Sequence, residues 1–562
     1  MVNNKENAAV STEENVLKKK LYEAGHILYV KLLPYPKVRR VFSKINSKLG
    51  IFKDTNKVIT YRISKTNRTK GAKELSTAAK RKKISDFNVA MVVDEFTYNS
   101  FKYEFNPFPV EPSNWKQIFE ENDIDLFFCE SAWVGLDSKL RPWRGQVYGS
   151  INFKKENRGA LLEILEYCKQ HGIPTVFWNK EDPTHYPDKV HNFVDTAIKF
   201  DHIFTTDRSC VDKYKNDYGH KSVHLLMFAT QPRLFNPIEK FDRTDEIIFA
   251  GSWYNQHPVR CEEMGAILDE IIDSPYPLKI YDRHSETDDP NHFFPERFRD
   301  YLNPCLSHDK LDVAYKSSKY ALNINTVTDS DTMFARRVFE LMSSNTLVLS
   351  NYSKGMEELF GENVVFLDGK TALHIEDSDQ KRINNLYNVL RYHTYKQRFR
   401  QILVDIKQEF VEDIEDITVV YLIKDLESAE AAYNNYLRIN YSNKKALFYV
   451  EAECESAVLR QIVEKYNGNM ITVISQDYNQ HYDKVVNIDT KYFVLSNDAL
   501  DPEFISRAVC HFCYLDNNVG VADDLNKFTF GESSSNINVI YRKELFDDVM
   551  CGNQKIRMIY YV

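Results

Sequence analysis

From residue 88 onward, short apolar runs alternate with stretches of helical periodicity, and no other feature of this chain constrains its fold as tightly. The first runs fall at 89–93, 124–129, 175–178, 202–205 and 223–227, with helical periodicity over 155–170 and 188–200. After a proline-containing crossover at 231–241, a second series follows at 246–250, 278–281, 320–324, 346–349 and 364–367, then helices from about 379 to 412. A third begins at 416 with ITVVYLI, ALFYV, MITVIS, KVVNI and KYFVLS, and a helix is expected over 502–515. Continuous apolar runs separated by helices are the pattern of parallel sheets covered on both faces. The fold class is therefore α/β. The expected parts are a basic arm and linker at 1–84, one lobe at 85–240, a second at 241–413, and a further α/β domain at 414–562. A chain of 562 residues is too long for one core, and 43% hydrophobic with 27% charged residues is a soluble globular composition.

The net charge of −8 conceals an asymmetry, because residues 17–83 hold about twenty Lys and Arg against about three acids. Residues 13–33 and 37–53 read as two amphipathic helices, the second with Arg39, Arg40, Lys44 and Lys48 opposite its apolar face. Such an arm suits an anionic membrane surface, or equally a helical pair docked on the body with a solvated basic face. No nucleic-acid module accompanies the charge, so no nucleic-acid partner is expected. No apolar run is long enough to span a bilayer and no signal peptide is evident, which places the expected site in the cytoplasm, at the inner face of the membrane if the arm binds it. Nine scattered cysteines fit reduced thiols, and Cys510 with Cys513 reads as a pair of helical neighbours in a core.

Ligands of open parallel sheets bind beyond the carboxyl ends of strands. Three polar clusters sit there in the first lobe: DEFT from Asp94, ESAWVG from Glu130, and WNKEDPTHY from Trp178. The last puts Glu181, Asp182 and His185 within five residues, a group able to move protons or bond sugar hydroxyls, or simply a capped helix with a surface histidine. In the second lobe Gly251 and Ser252 follow a strand in a turn that lets backbone amides approach phosphate, with Arg260 on the next helix. Asn325 ends another strand, and beyond Thr332 comes a helix bearing Arg336, Arg337 and Glu340. Those arginines can fork onto phosphate oxygens and the glutamate can accept from ribose hydroxyls; ordinary ion pairs on a capped helix would read the same. Arg260, Arg336 and Arg337 would together hold a diphosphate without a metal. The sequence lacks GxGxxG, a P-loop and HExxH, so dinucleotide redox, P-loop and zincin chemistry lack their physical parts.

DEFT, ESAW, WNKEDPTHY, FDHIFTTD, FATQP, FAGSWY and TMFARRVFELMSSNTLVLSNYSKG, taken in order over about 88–370, resemble the CgeB-like (spore maturation protein type) glycosyltransferases. The resemblance implies a GT-B enzyme of two Rossmann-like lobes, with the nucleotide-sugar bound as substrate in the second lobe and the acceptor mainly in the first, and no resident cofactor or metal. The second-lobe part also resembles retaining glycosyltransferases related to glycogen synthase. By that resemblance Glu340 matches the second glutamate of an E-x7-E pattern, at the donor ribose, while the first falls at Thr332, where this sequence departs from it. Arg260 stands near the basic residue that grips the diphosphate, and His185 resembles the first-lobe histidine near the donor sugar. In a retaining enzyme the arginines, Arg337 included, would stabilise the leaving phosphate; in an inverting one Asp182 or Glu181 is the candidate base. The C-terminal domain resembles a degenerate GT-A, family-2-like fold, with Ser496-Asn497-Asp498 where a metal-binding Asp-x-Asp would stand. The expected function is hexose transfer from a nucleotide diphosphate donor to a cell-envelope glycan or teichoic-acid-like acceptor. The alternative is a catalytically silent glycan-binding or scaffold protein for a partner glycosyltransferase.

Overall fold

The computed structural model describes residues 81–562 except 241, 307–309, 477–487, 498, 525 and 551–554. The chain divides into two units, Met1–Lys80 and Arg81–Val562, and the structure described below is that of the second. The expected membrane-binding helices at 13–53 and Asp498 of the C-terminal motif lie outside the described residues.

The first lobe is a six-stranded parallel sheet built from β1 (Asn88–Val92), β2 (Asn106–Pro109), β3 (Leu126–Glu130), β4 (Thr175–Asn179), β5 (His202–Thr205) and β6 (Val223–Leu225). Their order is β2-β1-β3-β4-β5-β6, all pairs parallel. The short β2 carries two prolines and was not expected from its pattern; an edge strand tolerates the missing amide donors. Helices α1 (Glu95–Phe101), α2 (Trp115–Glu121), α3 (Gly159–His171), α4 (Phe193–Ala197) and α5 (Arg208–Tyr218) cover the faces. The periodicity over 188–200 condenses into the five residues of α4, because the preceding stretch is held in turns.

The second lobe has β7 (Thr244–Gly251), β8 (Leu278–Asp282), β9 (Leu302–Asn303), β10 (Ser318–Asn323), β11 (Leu347–Asn351) and β12 (Val365–Leu367). They lie in the order β9-β8-β7-β10-β11-β12, again all parallel. Counted from its own first strand this is 3-2-1-4-5-6, the dinucleotide-fold order, whereas the first lobe reads 2-1-3-4-5-6. Both orders reverse at their first strand, and that switch point is where a crevice opens. The flanking helices are α6 (Pro258–Ile272), α7 (Leu311–Ser317), α8 (Arg337–Ser343), α9 (Lys354–Phe360) and α10 (Ser378–Tyr392).

The next helix, α11 (Tyr395–Asp405), follows the second lobe in sequence but packs into the first. Its apolar stripe of Tyr395, Phe399, Ile402 and Leu403 is buried with Phe87, Met91, Phe101 and Trp178. Arg398 donates to the carbonyls of Met227 and Phe228 at 2.9 Å each, so the chain between β6 and the crossover is tied to this helix.

The C-terminal domain is one mixed eight-stranded sheet. Its parallel part comprises β13 (Ile417–Ile423), β14 (Lys444–Val450), β15 (Ile471–Ser475) and β16 (Tyr492–Leu495). Four later short strands, Gly520–Ala522, Thr529–Ser533, Val539–Arg542 and Arg557–Tyr561, extend it through antiparallel pairs and one parallel pair. Leu386 and Leu390 of α10 enter this domain's core. Cys510 and Cys513 sit at the end of a short helix, each thiol donating to a nearby backbone carbonyl. Among the described residues no helix is long and apolar enough to cross a membrane.

Candidate functional site

At the second lobe's switch point the ends of β7 and β10 diverge, placing Gly251, Ser252 and Asn325 at the crevice. A Cβ on residue 251 would run into the Phe249 ring, so only glycine lets the chain turn over that ring. Arg337 lies 5.8 Å from the same ring's centroid. Arg260 donates to the Ser252 carbonyl at 3.3 Å and lies 5.3 Å from the Tyr254 ring centroid. Burial, and then the nearby Arg337 charge, hold the Arg260 guanidinium below its ordinary pKa. Two guanidiniums thus share one partly dry spot with no carboxylate paired to either among the described ion pairs. Beside them the Ser252 hydroxyl is buried without a hydrogen-bond partner, which costs about 1–3 kcal/mol unless something else supplies an acceptor.

Arg336 behaves differently from its neighbour. Its Nε donates to Glu340 at 2.7 Å, and its guanidinium lies over the ring of Phe96 in the first turn of α1. Glu340 is buried within α8. The two consecutive arginines therefore diverge, one toward the Gly251–Ser252 turn and one toward the first lobe. Asn325 is also buried; its side chain accepts from the Ala335 amide at 2.9 Å and so closes the loop that leads into α8.

Thr332 lies in that loop and forms part of a latch between lobes. Its hydroxyl donates to the Thr206 carbonyl and accepts from the Arg208 amide, both at 3.0 Å. Ser330 donates at 2.5 Å to Asp207, the carboxylate that caps α5 by accepting from the Cys210 amide. Arg208 adds an exposed ion pair to Asp331 at 2.9 Å. The residues just before α8, read in sequence as a helix entry, are instead consumed in holding the second lobe against α5; α8 itself begins at Arg337.

In the first lobe, Asp94 at the end of β1 accepts the amides of Trp133, Val134 and Gly135 at 2.8–3.0 Å. Glu130, fully buried, accepts the Asp94 amide at 2.7 Å and Lys180 Nζ at 2.9 Å. Burial pushes the Glu130 carboxyl up, and the Lys180 charge opposes that rise. These are the two strand ends that flank the first switch point, and their carboxylates shape the loop carrying Trp133. Glu181 accepts the Trp133 indole N–H at 3.1 Å. His185 Nδ1 meets Asp188 Oδ2 at 3.0 Å. Asp182 lies elsewhere: it is fully buried, taking Asn179 Nδ2 at 2.8 Å and the Thr205 hydroxyl at 2.7 Å. Burial raises its pKa to about 7. Its carboxylate is thus spent on buried partners, while the Glu181 side chain is 24% exposed. Among the described residues no hydrogen bond or ion pair joins Glu181 or His185 to the second-lobe arginines; Arg336 reaches the first lobe at Phe96, two residues after Asp94.

Sequence reasoning passed over Phe96 as a partner of Arg336, and Asp188 and His191 as partners of His185. The spacing H-x2-D-x2-H in 185–191 was the available signal for the last two.

Residues 282–404 match the family model described as Glycosyl transferase-like, a segment running from the end of β8 through α8 and nearly all of α11. No curated protein matches the chain. Among solved structures, the chain is similar to TarM at 12% identity, covering 50% of this chain and 54% of that one, with a TM-score of 0.31. An alpha-glucosyltransferase in complex with UDP and a 13-mer DNA containing a HMU base gives 9% identity, 57% and 100% coverage, and a TM-score of 0.39. A glycosyltransferase from Rickettsia africae ESF-5 gives 12% identity, 57% and 98% coverage, and a TM-score of 0.37. The chain thus spans about half the length of TarM and nearly the whole of the other two.

Proposed function

We propose that the protein is a glycosyltransferase that moves a hexose-type sugar from a nucleotide diphosphate donor to a glycan or teichoic-acid-like acceptor, in the manner of the CgeB-like enzymes. The observation that carries this reading is the pairing of Arg260 and Arg337 beside the Gly251–Ser252 turn, at the switch point of a 3-2-1-4-5-6 sheet. The two guanidiniums repel each other, a repulsion the nearby Glu263 charge offsets in part, and a diphosphate would remove the rest. The match of 282–404 to a glycosyltransferase-like family supports the same assignment.

In this reading the diphosphate charge is met by Arg260 and Arg337, with no metal required at that point. As the glycosidic bond to the donor phosphate breaks, negative charge grows on the leaving diphosphate, and the two arginines stabilise it more in the transition state than in the ground state. Glu340, aligned by Arg336, faces the donor nucleoside. Trp133, held by Glu181, offers a flat apolar surface for an acceptor sugar, with Glu181 the group able to take the acceptor proton. This reading gives the acceptor side to the first lobe.

The test is a panel of UDP-, GDP- and CDP-sugars followed by calorimetry, thermal shift and donor hydrolysis. One nucleotide is expected to bind, and Glu340→Ala to weaken it about tenfold or more, the scale of one lost hydrogen bond to a charged group. Failure of every nucleotide to bind the wild-type protein sinks the donor-site reading.

A further inference from the structure

His185, Asp188 and His191 stand on one turn-rich stretch between β4 and α4, and three of their atoms converge. His185 Nδ1 and His191 Nδ1 each lie 3.0 Å from the same oxygen, Asp188 Oδ2. One ligand atom from each of the three residues lies within 4.8 Å of those of the other two. The other oxygen of Asp188 is already spent, accepting the amides of Val190 at 2.7 Å and His191 at 3.1 Å. That fixes the carboxylate's orientation and leaves Oδ2 alone to meet two imidazoles.

We propose that His185, Asp188 and His191 form a binding site for a divalent transition-metal ion of the zinc type, separate from the donor-diphosphate site. This departs from the expectation that the protein binds no metal. Ligands at about 2.0–2.2 Å in a tetrahedron stand about 3.3–3.5 Å apart, so the two 3.0 Å separations need open by only a few tenths of an ångström to admit the ion. Two imidazole nitrogens and one carboxylate oxygen select zinc-like ions over magnesium or calcium, which require oxygen cages. The three side chains are 28%, 23% and 36% exposed, so water or a substrate oxygen can complete the coordination from the solvent side.

The surroundings supply what such a site needs. Glu181 Oε2 lies 4.0 Å from His185 Nε2, beyond hydrogen-bond distance but near enough to add negative charge beside a ligating imidazole. The Trp133 ring backs both histidines, with centroids 5.5 and 5.1 Å away. The backbone is pinned at both ends: the His185 amide donates to the Glu181 carbonyl, and Asn192 exchanges two backbone bonds with Gly149. A bound ion would therefore staple the loop beneath Trp133 and present an open coordination position to an anionic or hydroxyl-bearing acceptor.

The test uses full-length protein without a histidine tag, stripped with chelator and titrated with zinc, cobalt and magnesium chlorides. The expected result is one zinc equivalent per chain, a visible cobalt absorption band, a rise in melting temperature with zinc and none with magnesium. His191→Gln should weaken zinc binding by more than about tenfold. Circular dichroism and the metal-free melting temperature of each variant check that it folds. Zinc binding that His191→Gln and His185→Gln both leave unchanged would place the ion elsewhere, for instance on cysteines. No zinc binding tighter than about millimolar would make the trio a hydrogen-bonded carboxylate–imidazole cluster only. Either result overturns the proposal, and neither bears on nucleotide binding.

Discussion

Replacing Arg260 by Gln separates a ligand-binding arginine from a structural one, because the two roles predict opposite balances. In the ligand-free protein Arg260 makes one bond at the long end of the range, 3.3 Å to the Ser252 carbonyl, and one cation–π contact at 5.3 Å. Together these are worth about 1 kcal/mol. Against them stand the burial of the guanidinium and the charge of Arg337, which both disfavour its charged form. The terms nearly cancel, so Arg260→Gln should move the ligand-free melting temperature by no more than about 2 °C. The nucleotide-bound protein loses a charge-assisted bond to phosphate worth about 1.5–3 kcal/mol, a loss of about ten- to 150-fold in affinity. Calorimetry with whichever nucleoside diphosphate binds the wild type most tightly reads the second effect, and a thermal melt without ligand reads the first. Unchanged affinity, or a ligand-free melting temperature lower by more than about 5 °C, would refute the reasoning and return Arg260 to the scaffold.

Asp182→Asn should flatten the pH dependence of stability. The folded-state pKa of about 7 lies above the unfolded value of about 3.9, so the neutral form's contribution is complete below about pH 4 and is lost as pH rises through 7, by up to about 4 kcal/mol. Urea unfolding at pH 6 and pH 8.5 should differ less in the variant; an equal difference would mean that Asp182 does not titrate there. Ser330→Ala removes the donor to the buried Asp207 carboxylate and should cost about 1.5–3 kcal/mol, with faster hydrogen exchange at the start of α5; unaltered exchange there would show that the latch holds nothing. Phe399→Ala, in the helix that crosses back to the first lobe, should cost about 3–5 kcal/mol and broaden the melt as the lobes lose their clasp; a sharp, unshifted transition would contradict its burial.

The alternation of apolar runs and helices was enough to place most strands of both lobes within a residue or two, because buried parallel strands must be continuously apolar whatever packs on them. The strand-end position of Gly251 was likewise legible, and the structure sets it over the Phe249 ring that Arg337 approaches to 5.8 Å. Spacing could not tell Arg336 from Arg337: adjacent residues on a helix point about 100° apart, and only the packed first lobe decides that Arg336 meets Phe96 and Glu340.

Local sequence therefore determined the elements, their polarity and the strand ends at which a site can lie. Tertiary structure decided which polar side chains at those ends remain available. Asp182 and Glu181 are neighbours in sequence, yet one is sealed against Asn179 and Thr205 while the other steadies Trp133. Thr332 is consumed by a latch to a helix more than a hundred residues earlier. α11 belongs by sequence to one lobe and by burial to the other. Each of these depends on long-range packing, since burial and hydrogen-bond saturation come from groups that the local sequence does not contain.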